Sequence, residues 1–485
     1  MTSIKRSAMS GMIWRFGERI CAQLVSFAVS LVLARLLIPE DYGVVALLTI
    51  FIDIANVFVV NGFGTALVQK KNADNIDFST VFYFNGIFSI ILYILFYLIA
   101  PMISEFYGNI TLTWYLRILA LKIPLAGVNS IQQAYVQRKM LFKKFFYATL
   151  IGTIFSAFVG ITMAYKGLGA WALVCQYLVN SLMDTIILWN TVKWRPQKVF
   201  DCKRLKKLFD FGWKILGSSL LHTIYTNLRS VVIGKSYSSA DLGYYNQGER
   251  LPRIFVTNIN TTINSVMFPV MATAQDDKER LKKMVRISIR TSSLFMWPLM
   301  VGMIVLADKI VTLLFTEKWL PCVPFMKIAC IQCALEPIQT VNLESIKAIG
   351  RSDVYLKMEI IKKGYGIVIL ILTMRYGVMA IALGALSQTV VASLVNSSPN
   401  RKLLQYNYKE QMEDLFPSII IATFMGISVY QIDNILPFGL IFSTIVQIMF
   451  GAVIYILLTY IFRKDDFYMI TNLFLSLLKD KKKNI

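Results

Sequence analysis

Apolar residues run along this chain in stretches of roughly 18 to 25, parted by short polar segments, and each stretch could cross about 30 Å of hydrocarbon as a helix. In lipid every backbone hydrogen bond must be satisfied internally, which leaves helices or closed barrels. The alternating ten-residue pattern of a barrel strand is absent, so the pattern predicts helices. Spans fall near 11–36, 44–66, 79–103, 112–137, 146–165 and 168–192. A second group lies near 211–234, 244–272, 287–307, 322–346, 355–374 and 376–398, followed by two more near 416–432 and 437–462. The expected fold is an all-α polytopic membrane protein of about 14 transmembrane helices.

Composition agrees: 56% of the 485 residues are hydrophobic and 16% are charged, against about 25% charged in soluble domains. A formal net charge of +22 invites a nucleic-acid reading, but the cations sit between the spans, where the positive-inside rule expects them. Arg138, Lys139, Lys143 and Lys144 share one side with Lys203, Arg204, Lys206 and Lys207, with Lys278, Arg280, Lys282 and Lys283, and with the basic tail. Outside loops hold little beyond Lys166, Lys235, Lys309, Lys318 and Arg375. That bias places both termini in the cytoplasm, requires an even number of spans and excludes nucleic acid as a partner. The first span carries Arg15, Glu18 and Arg19 with no small-residue cleavage site, so it reads as a retained helix.

Catalytic and metal chemistry find little support. Of six cysteines only Cys330 and Cys333 have a suggestive spacing, inside an apolar stretch, and His222 is the single histidine. Neither a metal nor another cofactor is expected. No outside loop exceeds about 15 residues, which weighs against a membrane enzyme with an extracytoplasmic catalytic loop.

The chain also repeats itself. LARLLIPEDYG at 33–43 aligns without gaps to IGKSYSSADLG at 233–243, matching Arg35 to Lys235, Asp41 to Asp241 and Gly43 to Gly243. Six spans separate the copies, so the repeat is parallel. It divides the chain into a six-helix lobe at 1–200, a second at 201–410, and two additional helices with a basic tail at 411–485.

Polar groups inside the spans are the candidate site. In the first helix Arg15, Arg19, Gln23, Ser26 and Ser30 share a face, with Glu18 beside it; the mate helix carries Lys214, Ser218, His222, Tyr225, Thr226 and Arg229 at the same rhythm. Intramembrane charge usually faces a cavity or a partner, although Arg15 and Lys214 could equally snorkel to the interface. Further candidate cations are Lys122, Arg250, Arg253 and Lys327; the buried-looking acids are Asp53, Asp184, Glu336 and Glu344. These acids either pair with the cations or titrate as groups coupling transport to an H+ or Na+ gradient. The excess of cations leans the cavity towards an anionic ligand that a guanidinium fork can grip.

Several segments resemble the polysaccharide transporter family. They are Trp14 and Gly17 followed by LARLLIPEDYG at 33–43, NGFGTALVQKKN at 61–72, QAYVQRKMLFKKF at 133–145, MFPVMA at 267–272 and ADKIVTLLFTEKW at 307–319. These are Wzx-type flippases and exporters of lipid-linked glycans, and the colanic-acid and teichuronic-acid exporters are the branch most resembled. The likeness runs over roughly the first 400 residues, whereas the tail matches mainly by its two hydrophobic spans. It implies kinship with multidrug and toxin extrusion antiporters: two six-helix lobes around a central cavity. It also implies a cargo of undecaprenyl-diphosphate-linked oligosaccharide, moved to the outer leaflet of a bacterial inner membrane for lipopolysaccharide, O-antigen, capsule or exopolysaccharide assembly. Other glycan polymerisation and export proteins would be partners. The competing readings are an ion-coupled multidrug antiporter of the same fold, which an acid-rich cavity would favour, and a scaffold or channel.

Overall fold

The computed structural model describes residues 21–61, 63–433 and 439–468; the candidate residues Arg15, Glu18 and Arg19 lie outside them. Every regular element among the described residues is helical. Helix α1 is Cys21–Leu36, and α2 is Pro39–Asn56 continued through a π turn, Val57–Asn61, into Phe63–Gln69. Next come α3 (Asn75–Tyr107), α4 (Leu112–Leu119 and Lys122–Arg138), α5 (Phe142–Tyr165), α6 (Ala170–Thr191) and α7 (Cys202–Ser236). Helix α8 is Ser239–Thr262 with a π turn at Ile263–Met267 and a last piece, Phe268–Ala272. The remainder are α9 (Lys278–Val305), a short helix (Ala307–Phe315) with a 3-10 turn (Glu317–Cys322), α10 (Val323–Ala348), α11 (Ser352–Thr373), α12 (Val378–Leu403), α13 (Tyr408–Asp433) and α14 (Leu440–Phe462).

Among the described residues a helix occupies each expected span, the first from Cys21 onward. Nine among the described residues are long and apolar enough to cross a membrane by length and composition alone. Along α3 the outward side chains are Ile87, Ile90, Ile91, Ile94 and Leu98, and along α14 Ile441, Ile445 and Ile448, all exposed. Apolar surface on that scale is stable only against lipid. The chain is an all-α polytopic membrane protein. Helices overrun the apolar stretches because caps, not hydropathy, end them. Helix α7 begins at Asp201, whose carboxylate accepts from the Lys203 and Arg204 N–H groups at 2.9 and 3.2 Å, well before its first apolar residues.

By packing the chain forms two compact units, Met1–Gly243 and Tyr244–Ile485. In the first, α7 packs against α2 and α3, and the two copies of the repeated turn meet. Asp41 accepts the Ile38 N–H at 3.2 Å and Asp241 accepts the Ser238 N–H at 3.2 Å, so the matched acids cap equivalent helix starts. A Cβ on Gly43 would lie 1.7 Å from the Ser239 carbonyl oxygen, and one on Gly243 would lie 2.2 Å from that of Pro39. Only glycine permits so close an approach.

The basic end of this unit is fastened by charge. Arg138 donates to the carbonyls of Leu67, Val68, Lys70 and Lys71, closing the last turn of α2. Buried Asp77 pairs with Lys70 at 2.6 Å, and Arg204 reaches Asp74 at 2.7 Å, joining the starts of α3 and α7. The Arg204 hydrogen bond holds the Asp74 carboxyl down at about 2.

In the second unit α13 and α14 are tied at one end to α9 and at the other to the short helix Ala307–Phe315. Arg286 grips Asp414 with two nitrogens at 2.8 and 3.0 Å, and Arg290 meets Asp466 at 2.8 Å. At the opposite end Lys309 binds Asp433, Ser443 and Gln447. Between them Gly426 and Gly451 let the helices close, with a Cβ on either falling under 3.0 Å from a valine methyl.

Candidate functional site

Each unit carries a charged cluster within its spans, beside a break in helical regularity. In the first unit the π turn of α2 frees backbone carbonyls; Asn85 of α3 donates to the Val59 carbonyl at 3.0 Å and to Ser130 of α4 at 3.3 Å. Helix α4 is interrupted just before Lys122, which therefore opens a new helix. A cation there opposes the helix dipole and needs carboxylates nearby. Asp53 of α2 and Asp184 of α6 supply them, both acting on Lys122 electrostatically. The ammonium stands 5.4 Å from the centre of the Tyr177 ring.

A cavity of ≈ 240 Å³ opens here, lined by Lys122, Asn129, Gln133, Tyr177, Asn180 and Asp184 among others. Asn129 is buried, and its side-chain oxygen meets no hydrogen-bond donor among the described residues. A buried amide oxygen in that state asks for water or a ligand. Gly152 makes room for Asp184, since a Cβ there would fall 2.7 Å from its carboxylate oxygen.

The second unit repeats this arrangement with the charges exchanged. Arg253 stands on α8 at the position matched to Asp53 by the 200-residue offset. Its guanidinium meets Glu249 at 3.1 Å and Glu336 of α10 at 3.5 Å. Asn260 donates to the other oxygen of Glu336 at 3.4 Å, and Tyr245 donates to Glu249 at 2.7 Å. The second π turn, Ile263–Met267, follows directly. Arg250 is half-buried in the turn before Arg253 and meets no carboxylate among the described residues.

Other expected residues go elsewhere. Glu344 is buried against Lys347 at 2.8 Å, and Lys327 pairs with Asp308 at 3.0 Å, so neither joins these clusters. On α7 the expected polar face is exposed: Lys214, Ser218, His222 and Thr226 stand outward, with Arg229 half-buried above them. Next to that face Trp213, Leu221 and Ile224 are exposed as well, giving an apolar edge. In both clusters two carboxylates surround one base.

Sequence reasoning missed Glu249, Asn129, Tyr177 and Asn180. Glu249 and Arg253, four apart on one helix, were a readable pair. Asn129 with Gln133, and Tyr177 with Asn180 and Asp184, likewise fall at helical spacing.

A sequence model of the family described as "Polysaccharide biosynthesis protein" matches residues 32–324. The chain is similar to the teichuronic acid biosynthesis protein TuaB of Bacillus subtilis (strain 168), 26% identical over 447 residues, covering 89% of this chain and 90% of that one. Its fold is similar to a solved structure of lipid II flippase MurJ in an inward closed conformation, with TM-score 0.75 and 18% identity over 94% and 99% of the two chains. A multidrug resistance MATE family transporter in an inward-facing conformation aligns with TM-score 0.58 and 15% identity, covering 81% and 99%. At such identities the two structures speak to fold.

Proposed function

Since the chain belongs to the polysaccharide biosynthesis protein family, we propose that it is a flippase for lipid-linked glycans. Its cargo is an undecaprenyl-diphosphate-linked oligosaccharide, carried from the cytoplasmic to the outer leaflet of a bacterial inner membrane by alternating access. Both termini lie in the cytoplasm, as the distribution of cations suggests. Proteins that polymerise and export the glycan are its partners.

The observation that carries this reading is the surface of α7. An exposed polar face, Lys214 through Arg229, runs along a membrane helix beside an exposed apolar edge. Polar groups within a membrane helix usually face a partner, water or a polar cargo. A neighbouring apolar edge suits a cargo whose head is polar and whose tail stays in lipid. The Arg229 guanidinium fits a diphosphate as a fork. With two carboxylates around one base, the Asp53–Lys122–Asp184 and Glu249–Arg253–Glu336 clusters suit a coupling cation, H+ or Na+, better than an anionic cargo.

Proteoliposomes containing the purified chain and a fluorescent polyprenyl-diphosphate oligosaccharide provide the test. Transfer of the label between leaflets, accelerated relative to empty liposomes, is expected. Efflux of cationic dyes without transfer of the glycan lipid would overturn the proposal in favour of a drug antiporter.

A further inference from the structure

A second open cavity, of ≈ 690 Å³, lies where α12 turns into α13, lined by Ser398, Arg401, Lys402, Gln405, Asn407 and Tyr408. Gln405 adopts a left-handed backbone (φ +52°) that turns the chain sharply. Its carbonyl is held by Lys282 at 2.8 Å, and Lys282 also takes Glu410 at 2.9 Å. The Asn407 N–H donates to the other oxygen of Glu410 at 3.0 Å. The nearest acid in sequence is therefore spoken for. Among the described residues Arg401 and Lys402 have no carboxylate within salt-bridge reach, and both are exposed. The cavity is basic and polar.

Its setting is apolar. On α12, Val390 and Leu394 lead at four-residue spacing to Ser398 and Lys402, so they form one ridge. On α13, Met412 and Phe416 follow Tyr408 in the same way. The Tyr408 hydroxyl donates to the Leu394 carbonyl at 2.8 Å, so the two ridges start side by side. Val390, Leu394, Met412 and Phe416 are 44, 49, 41 and 53% exposed. Two apolar ridges thus rise into the membrane from one cationic, hydroxyl-bearing cavity at the basic end of the helices.

We propose that this cavity binds the phosphodiester headgroup of an anionic phospholipid, its two acyl chains lying along the α12 and α13 ridges. Arg401 and Lys402 supply charge, while Ser398 and Tyr408 border the headgroup. Juxtamembrane cations attract anionic lipid in this way. Lipid there would brace the junction through which α13 and α14 join the bundle, a role separate from the cargo site. Arg401 and Lys402 also stand in the last turn of α12, where they offset the helix dipole. That role alone would give no lipid preference.

Native mass spectrometry of the detergent-solubilised full chain reads the difference, titrating dioleoyl phosphatidylglycerol, dioleoyl phosphatidylcholine and inorganic phosphate. Two cations should favour phosphatidylglycerol over phosphatidylcholine by about 30-fold. Arg401→Gln with Lys402→Gln should bring the two lipids level, whereas Lys357→Gln with Arg375→Gln should leave the preference intact. Ser398→Glu, which adds a carboxylate at an exposed position, should abolish the preference while keeping the melting temperature. An undiminished preference in both cavity variants would overturn the proposal. So would displacement of the lipid by an equal concentration of inorganic phosphate, which would mark a free-anion site.

Discussion

Arg253 and Arg229 carry the same charge on helices consecutive in sequence and meet different surroundings. Arg253 is enclosed by Glu249 and Glu336, so its removal would leave two carboxylates facing each other. Arg229 stands on the polar face of α7 in line with Lys214, Ser218 and His222. If it holds the cargo diphosphate, Arg229→Ala should lose about 1.5 to 3 kcal/mol of charge-assisted binding. Export per inserted molecule would then fall roughly 10- to 100-fold. Lys should rescue partly, since it keeps the charge and loses the fork. Glycan export normalised to membrane-inserted protein is the measurement, and wild-type export by Arg229→Ala would remove this residue from the cargo site. Asp53, at the matched repeat position, bears the opposite charge to Arg253. The repeat therefore keeps its charges at the turns and not at this position within the spans.

At the scale of elements, the turns explain why the repeat is visible. Asp41 and Asp241 are retained because each caps a helix start, and Gly43 and Gly243 because each faces a carbonyl from the other copy. Gly43→Ala and Gly243→Ala should each destabilise by at least about 1 to 3 kcal/mol, because the contacted atoms are backbone and cannot rotate away. Gly64→Ala is the control, since a Cβ there meets nothing within 4 Å, and it should be neutral or slightly stabilising. The readout is melting temperature and yield of inserted protein. Wild-type behaviour of both turn variants would show the approach to be looser than it stands here. The π turns of α2 and α8 were not legible in the sequence. A one-residue widening of the ladder shifts the apolar period too little to see, and in α2 the group that meets a freed carbonyl, Asn85 at Val59, lies on another helix.

For the whole molecule the cations between spans set the expected orientation. Reporter fusions after Lys206 and Lys282 should read cytoplasmic, and fusions after Gly167 and Tyr376 extracytoplasmic. An extracytoplasmic reading after Lys206 would break the even count of helices before it and, with it, the parallel repeat. Each unit by itself shows the same plan: a π turn in a long helix, and two carboxylates around one base.

The run lengths of apolar residues determined on their own that the chain is a bundle of membrane helices. Lipid imposes that choice on any segment long enough to cross it, with no help from the rest of the fold. A short local match also determined the paired turns at 33–43 and 233–243. Only the tertiary structure decided which charges serve as fasteners and which stay open. Asp74 finds Arg204, Lys309 finds Asp433 and Arg286 finds Asp414 across more than 120 residues of chain. The same holds for Lys122, whose place among Asp53, Asp184 and Tyr177 depends on how three helices rotate about their axes. Helix rotation is set by side-chain packing between distant segments, and one sequence read along its length carries no record of it.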